Sequence, residues 1–268
     1  MPRAQGPLLG ALAGLMALAL PALAGPAAPD PCPPVLAERP LSATAASASH
    51  ASPAAAAPPA SPHPADYRHL LRPTPLGWAR LPHWCVWIEP GASEGPAALW
   101  DGRWRQAVDG ALASWQRHLP ITVVGEPERA QVRLLRRRPP VQNRRASHGR
   151  ATLMLVDVQR GEPGRDAQPW RIEPQVTVQL SPGQGVPAMQ ATALHELGHA
   201  FGLWGHSDQP GDALAALPGS RPVLELSARD RATLIWLQAQ PGLAYPAPVN
   251  PGAAHPAAGP APPAPGAN

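Results

Sequence analysis

His195 and His199 stand four residues apart in a segment suited to a helix, and this pairing constrains the fold more than any other feature of the chain. Ala188-Met189-Gln190-Ala191-Thr192-Ala193-Leu194 leads in and Ala200-Phe201 leads out. On a helix, positions four apart lie one turn up the same face, so both imidazoles can reach a single ion. Glu196 completes an H-E-x-x-H string. Beside the first ligand, it is placed to take a proton from an ion-activated water rather than to bind the ion. The chemistry implied is hydrolysis. A catalytic zinc takes three protein ligands and keeps one position open, so two histidines need a third. Gly202 accepts the left-handed backbone that ends a helix and turns the chain back. His206, just past that turn, is the expected third ligand.

The stretch His195 to Ser207 resembles the metzincin signature and is closest in wording to matrixin-type zinc endopeptidases. Bacterial, chiefly cyanobacterial, matrixin-like proteins carry a similar H-E-x-G-H-A-x-G-x-W-G-H-S reading. The usual pattern puts the third histidine where Gly205 stands; here it comes one residue later, with Asp208 as the fallback ligand. Metzincins also carry a methionine turn beneath the metal, and this chain has no Met after Met189. Leu214 falls near that slot, and a Leu-for-Met exchange commonly costs less than about 1.5 kcal/mol. Ala215 and Ala216 stand where a tyrosine often does, so no tyrosine role is assigned.

The resemblance implies an α+β fold: a metzincin-like zincin domain with a twisted, mixed five-stranded sheet, a long helix after the first strand, a zinc-site helix and a C-terminal helix. It implies a monomeric zinc metalloendopeptidase in which His195, His199 and His206 bind Zn²⁺ and Glu196 is the base. Its substrate would be extended polypeptide, paired with the sheet edge at Ala151 to Val158. The rival reading is a catalytically inactive zinc-binding module of the cell envelope or of adhesion, favoured by the missing Met and Tyr.

Of the 268 residues, 1–24 read as a secretory signal: Arg3, an apolar run from Leu8 to Leu20, and a small-x-small site at Ala22-Leu23-Ala24. Export to the periplasm or the exterior is expected. That run is short for a span of about 20 residues, so no stable membrane insertion is expected after cleavage. Residues 25–77 and 246–268 are dominated by Pro and Ala and read as an unstructured linker and tail. One catalytic domain, 78–245, remains. Net charge is +4, and every basic residue is an arginine. The basic run around Arg133, Arg136 to Arg138, Arg144, Arg145 and Arg150 lacks interleaved aromatics and is broken by Pro139-Pro140, so no nucleic-acid partner is expected. Cys32 and Cys85 could pair in an oxidising compartment. Cys32 lacks the surroundings of a matrixin latency switch, which leaves a disulfide or a free thiol.

Within 78–245, Cys85 to Ile88, Ile121 to Val124, Ala130 to Leu135, Ala151 to Val158 and Gln175 to Leu180 read as strands. A helix carries Trp104, Val108, Ala111, Leu112, Trp115 and Leu119 on one face and stops at Pro120. Ser227-Ala228-Arg229-Asp230 resembles a capping box opening a last helix. His148, just before a strand, is a possible further ligand or substrate contact, or a solvated loop residue.

Overall fold

Alternating apolar positions lay down a sheet, and two helices close over one of its faces. The computed structural model describes residues 30–41, 65–141, 147–162, 164 and 167–245. The described residues form six strands and three α-helices, in the order β1 (Val35–Arg39), β2 (Trp84–Ile88), α1 (Pro96–Gln116), β3 (Ile121–Val124), β4 (Val132–Leu135), β5 (Gly149–Arg160), β6 (Arg171–Leu180), α2 (Val186–Ala200) and α3 (Ala228–Gln238). The strand order is β1-β5-β6-β4-β2-β3. Strands β3, β2, β4 and β6 run parallel; β5 is antiparallel to β6, and β1 is antiparallel to β5.

The expected α1 stripe is buried: Trp104, Val108, Ala111, Leu112 and Trp115 pack with Val176, Val178 and Leu180 of β6 in one core. Its two tryptophans also fix neighbours by polar contact. Trp104 Nε1 donates to Leu180 O at 3.1 Å, and Trp115 Nε1 donates to Leu194 O of α2 at the same distance. Phe201, at the end of α2, meets Trp84 and Trp115 at centroid separations of 5.5 and 5.6 Å. Such pairs add about 0.5–1.5 kcal/mol beyond area burial, so the site helix is anchored to both α1 and the sheet. The capping box of α3 is present: Ser227 Oγ accepts from Asp230 N, and the Asp230 carboxylate accepts from Ser227 N.

The chain is α+β with a mixed sheet, but two finer expectations are corrected. The sheet has six strands, because Val35–Arg39 adds to the outer edge of β5, from Val35 opposite Arg160 to Arg39 opposite Asp157. The span 25–77 is therefore not a linker throughout. Tyr67 is fully buried and Leu71 nearly so, and Thr74 bridges to Gly77. Strand β1 is held because Cys32 and Cys85 form a disulfide, which settles the alternatives left open for these thiols. The buried Arg160 guanidinium also donates to Pro33 O at 2.8 Å while pairing with Glu173 at 2.9 Å. Consequently β5 is an open edge only over its first part, from Gly149 to Val156, among the described residues. The expected signal (1–24) and tail (246–268), with Arg144 and Arg145, lie outside the described residues. Among those described, no helix is long and apolar enough to cross a membrane.

Candidate metal and hydrolytic site

Helix α2 places His195 and His199 one turn apart, with Nε2 atoms 3.2 Å from each other. The helix ends at Ala200, and Gly202 takes φ +103° to turn the chain. A side chain there would strike Ala79 O at 2.6 Å, so glycine is required by space as well as by dihedral. The returning chain brings His206 Nε2 within 3.3 Å of His199 Nε2. All three imidazoles offer ligand atoms within 4.8 Å of one another, a group that could hold a metal ion.

The far nitrogens of two rings are already committed. His195 Nδ1 lies 2.9 Å from Ala213 O, and His199 Nδ1 lies 2.8 Å from Leu203 O. A carbonyl only accepts, so each Nδ1 carries the proton and each Nε2 presents its lone pair to the shared point. Burial pushes the His195 imidazole down to about 4. Burial, with His195 and His206 alongside, pushes His199 down to about 3. Neutral imidazoles are the metal-binding form, so this environment fits a divalent ion of borderline softness. His206 is exposed, and burial of its inner side lowers its pKa more modestly. Trp204 stacks on His199, with ring centroids 5.5 Å apart and planes within 15°.

Glu196 sits beside this group on α2, only 8 % exposed. Burial raises its carboxyl to about 7, against a backbone hydrogen bond from Ala151 and the charge of Arg150, both of which favour the ionised form. A carboxylate tuned to neutrality is suited to accepting and returning a proton. It opens on a cavity of about 490 Å³ whose lining includes His148, Thr192, His195, Glu196, Ala213 and Val223. His148 therefore faces the cleft, from a loop whose carbonyl is tied to Ser181 N at 2.8 Å.

Support from below comes from the segment after the ligands. Leu214 is fully buried, and a β-carbon on Gly198 would lie 2.5 Å from its Cδ2, so Leu214 packs directly beneath the histidine helix. Ala213, whose carbonyl holds His195, donates its N–H to Asp230 Oδ2 at 2.8 Å. Asp230 also accepts from the Tyr67 hydroxyl at 2.7 Å and from Ser227 N at 2.9 Å. Asp212 accepts from Ser207, from Ser227 at 2.6 Å and from Arg229 at 2.7 Å. Asp230 is thus more than a helix cap. It fixes the carbonyl that orients His195.

Every residue that the sequence singles out for the metal group, His195, His199 and His206, meets at one point, and Glu196 adjoins it. Asp208, the fallback ligand, is engaged elsewhere, paired with Arg229 at 2.8 Å. Sequence reasoning missed Tyr67, whose partner Asp230 lies 163 residues on, and Asp212 and Arg229, which meet across 17 positions, and it assigned Asp230 only its local role. It also missed what keeps a side chain out of position 205. Gly205 takes φ +157°, and a β-carbon there would lie 2.3 Å from Leu70 O, so this position is occupied by the approach of the Tyr67–Leu71 segment. A scan against protein-family models matches none, and no curated protein matches the chain.

Proposed function

We propose that this chain is an exported zinc metalloendopeptidase that hydrolyses peptide bonds of polypeptides. The observation that carries the reading is the convergence of three neutral imidazole Nε2 atoms beside one buried carboxyl poised near 7. His195, His199 and His206 would hold Zn²⁺, which when bound lowers the pKa of a water and polarises a carbonyl. Glu196 accepts the proton of the attacking water and returns it to the leaving amine. Ala213 and Leu203 keep two ligand rings in the binding tautomer throughout. The cavity receives a side chain next to the reacting bond, and the free part of β5 offers backbone partners to an extended chain. The order strand, helix, four strands, site helix, seen from β2 to α2, supports the metzincin resemblance.

The test compares cleavage of casein by residues 25–268 and by the Glu196→Ala variant, with zinc quantified in both. Cleavage by the wild type alone, at equal zinc, is the expected result. Equal zinc with no cleavage by either moves the reading to a zinc-binding module; absence of zinc from both refutes the ligand set.

A further inference from the structure

Among the described residues, strand β1 covers the edge of β5 from Asp157 to Arg160, and where the two strands part they leave a groove of about 320 Å³. Its apolar walls are Pro40 and Leu41 on one side and Met154, Leu155 and Val156 on the other. Met154 is 60 % exposed, an unusual state for a methionine on a strand. The charged residues in the lining are engaged. Arg39 pairs with Asp157 at 2.6 Å and lies 4.2 Å over the Trp170 ring, and Glu38 accepts from Gln175 at 3.4 Å.

Between this groove and Glu196 runs a stretch of β5 whose outer edge no described residue pairs with, and whose Ala151 already touches the Glu196 carboxyl through its backbone. The edge takes an antiparallel strand, as β1 demonstrates one step further along. We propose that the groove between β1 and β5 is a binding site for an apolar side chain of the extended substrate, remote from the bond that is cut; this rests on the peptidase reading above. A chain antiparallel to β5 runs from the groove toward the cleft, so the residue bound lies on the N-terminal side of the scissile bond. Strands advance about 3.3 Å per residue and pair one to one, which places that side chain about three to six residues before the cut.

Strand β1 also sets the limit of the site. Past Val156 the edge is occupied, and the Cys32–Cys85 disulfide and the Arg160 contact to Pro33 O keep it so. Substrate must leave the sheet at the groove, and an apolar residue there gains both burial and register.

The experiment digests a proteome-derived peptide library with wild-type protein and with Met154→Asp and Met154→Lys variants, and reads the residues flanking each cut. Wild-type protein is expected to enrich Leu, Ile, Val, Phe or Met three to six residues before the cut, with cleavage of such peptides favoured roughly tenfold. Both variants should lose that enrichment while the preference immediately after the cut persists. Lack of enrichment in the wild type, or its survival in both variants, overturns the proposal. If no peptide is cut by any form, the failure belongs to the peptidase reading. The groove is then judged by the library peptides retained on the Glu196→Ala protein. Apolar enrichment that Met154→Asp abolishes supports the site, and retention without it refutes the site.

Discussion

Gly149 leaves no room for a side chain facing Glu196: a β-carbon on its backbone would stand 2.6 Å from Cγ and 2.7 Å from Oε1 of that carboxyl. The first residue of β5 thereby sets where the Glu196 carboxyl can lie. Gly149→Ala pushes the carboxyl aside without touching an imidazole. Hydrolysis should fall on the order of a hundredfold, the cost of a displacement of about 1 Å in a reacting group. Zinc content, measured by atomic absorption on the same sample, should equal that of the wild type; joint loss of zinc and activity would show that the glycine serves the ligands instead.

Asp230 holds three donors, the buried Tyr67 OH and Ala213 N and the part-buried Ser227 N. Asp230→Ala leaves them without a partner, and at about 1–3 kcal/mol for each unsatisfied group the loss should be on the order of 4 kcal/mol in chemical denaturation. Asp230→Asn, milder in stability, should still weaken zinc binding by about tenfold to a hundredfold in chelator competition, because the Ala213 carbonyl that orients His195 is released. Unchanged zinc affinity in a folded Asp230→Asn protein would reduce this residue to a helix cap.

The same interior predicts how metal-free protein responds to acid. His195 and His199 titrate near 6.5 when unfolded but only at about 4 and about 3 when folded. The unfolded chain therefore binds more protons between these values, and stability present above about 6.5 is lost as pH falls toward 4. Glu196 acts in the opposite sense. Its folded value of about 7 exceeds the ordinary 4.5, so its contribution is present below 4.5 and lost as pH rises through 7. Thermal denaturation of chelator-treated protein should show a steep fall from pH 6.5 to 4. Glu196→Gln should raise the midpoint at pH 8 and change it little at pH 4. A flat profile would mean that the imidazoles are hydrated in the free protein.

Cys32 and Cys85 are 53 positions apart. Closing a loop of that length removes about 4 kcal/mol of chain entropy from the unfolded state. Reduction, or a Cys32→Ser/Cys85→Ser double variant, should lower stability by about that amount in urea and expose β1 to proteolysis near Val35. Equal denaturation midpoints with and without reductant would show that the Arg160 network alone retains the strand.

The site was legible where its logic is local. The histidine spacing, Glu196, the helix-ending Gly202 and the Ser227/Asp230 cap all lie within single turns of chain, so periodicity and turn chemistry reveal them. The α1 stripe and the strand at Ile121–Val124 were readable for the same reason. Strand β1 was not, since Val-Leu-Ala-Glu-Arg is short and set among Pro and Ala, and it becomes a strand only by pairing with residues more than a hundred positions away. Tyr67 is equally silent in sequence; its meaning comes from Asp230, 163 residues on. A composition rule that averages over 25–77 dilutes the few large side chains that matter, Leu71 and Tyr67 among them.

His206 differs from its two companions in facing solvent. In the proposed zinc site the outward imidazole would be the first ligand open to an arriving ion, ahead of the two on the helix. Departure would reverse that order. In the proposed zinc centre exchange rate and equilibrium affinity would thus be separable: the exposed ring would govern how fast metal comes and goes, and the two more enclosed rings how firmly it is kept.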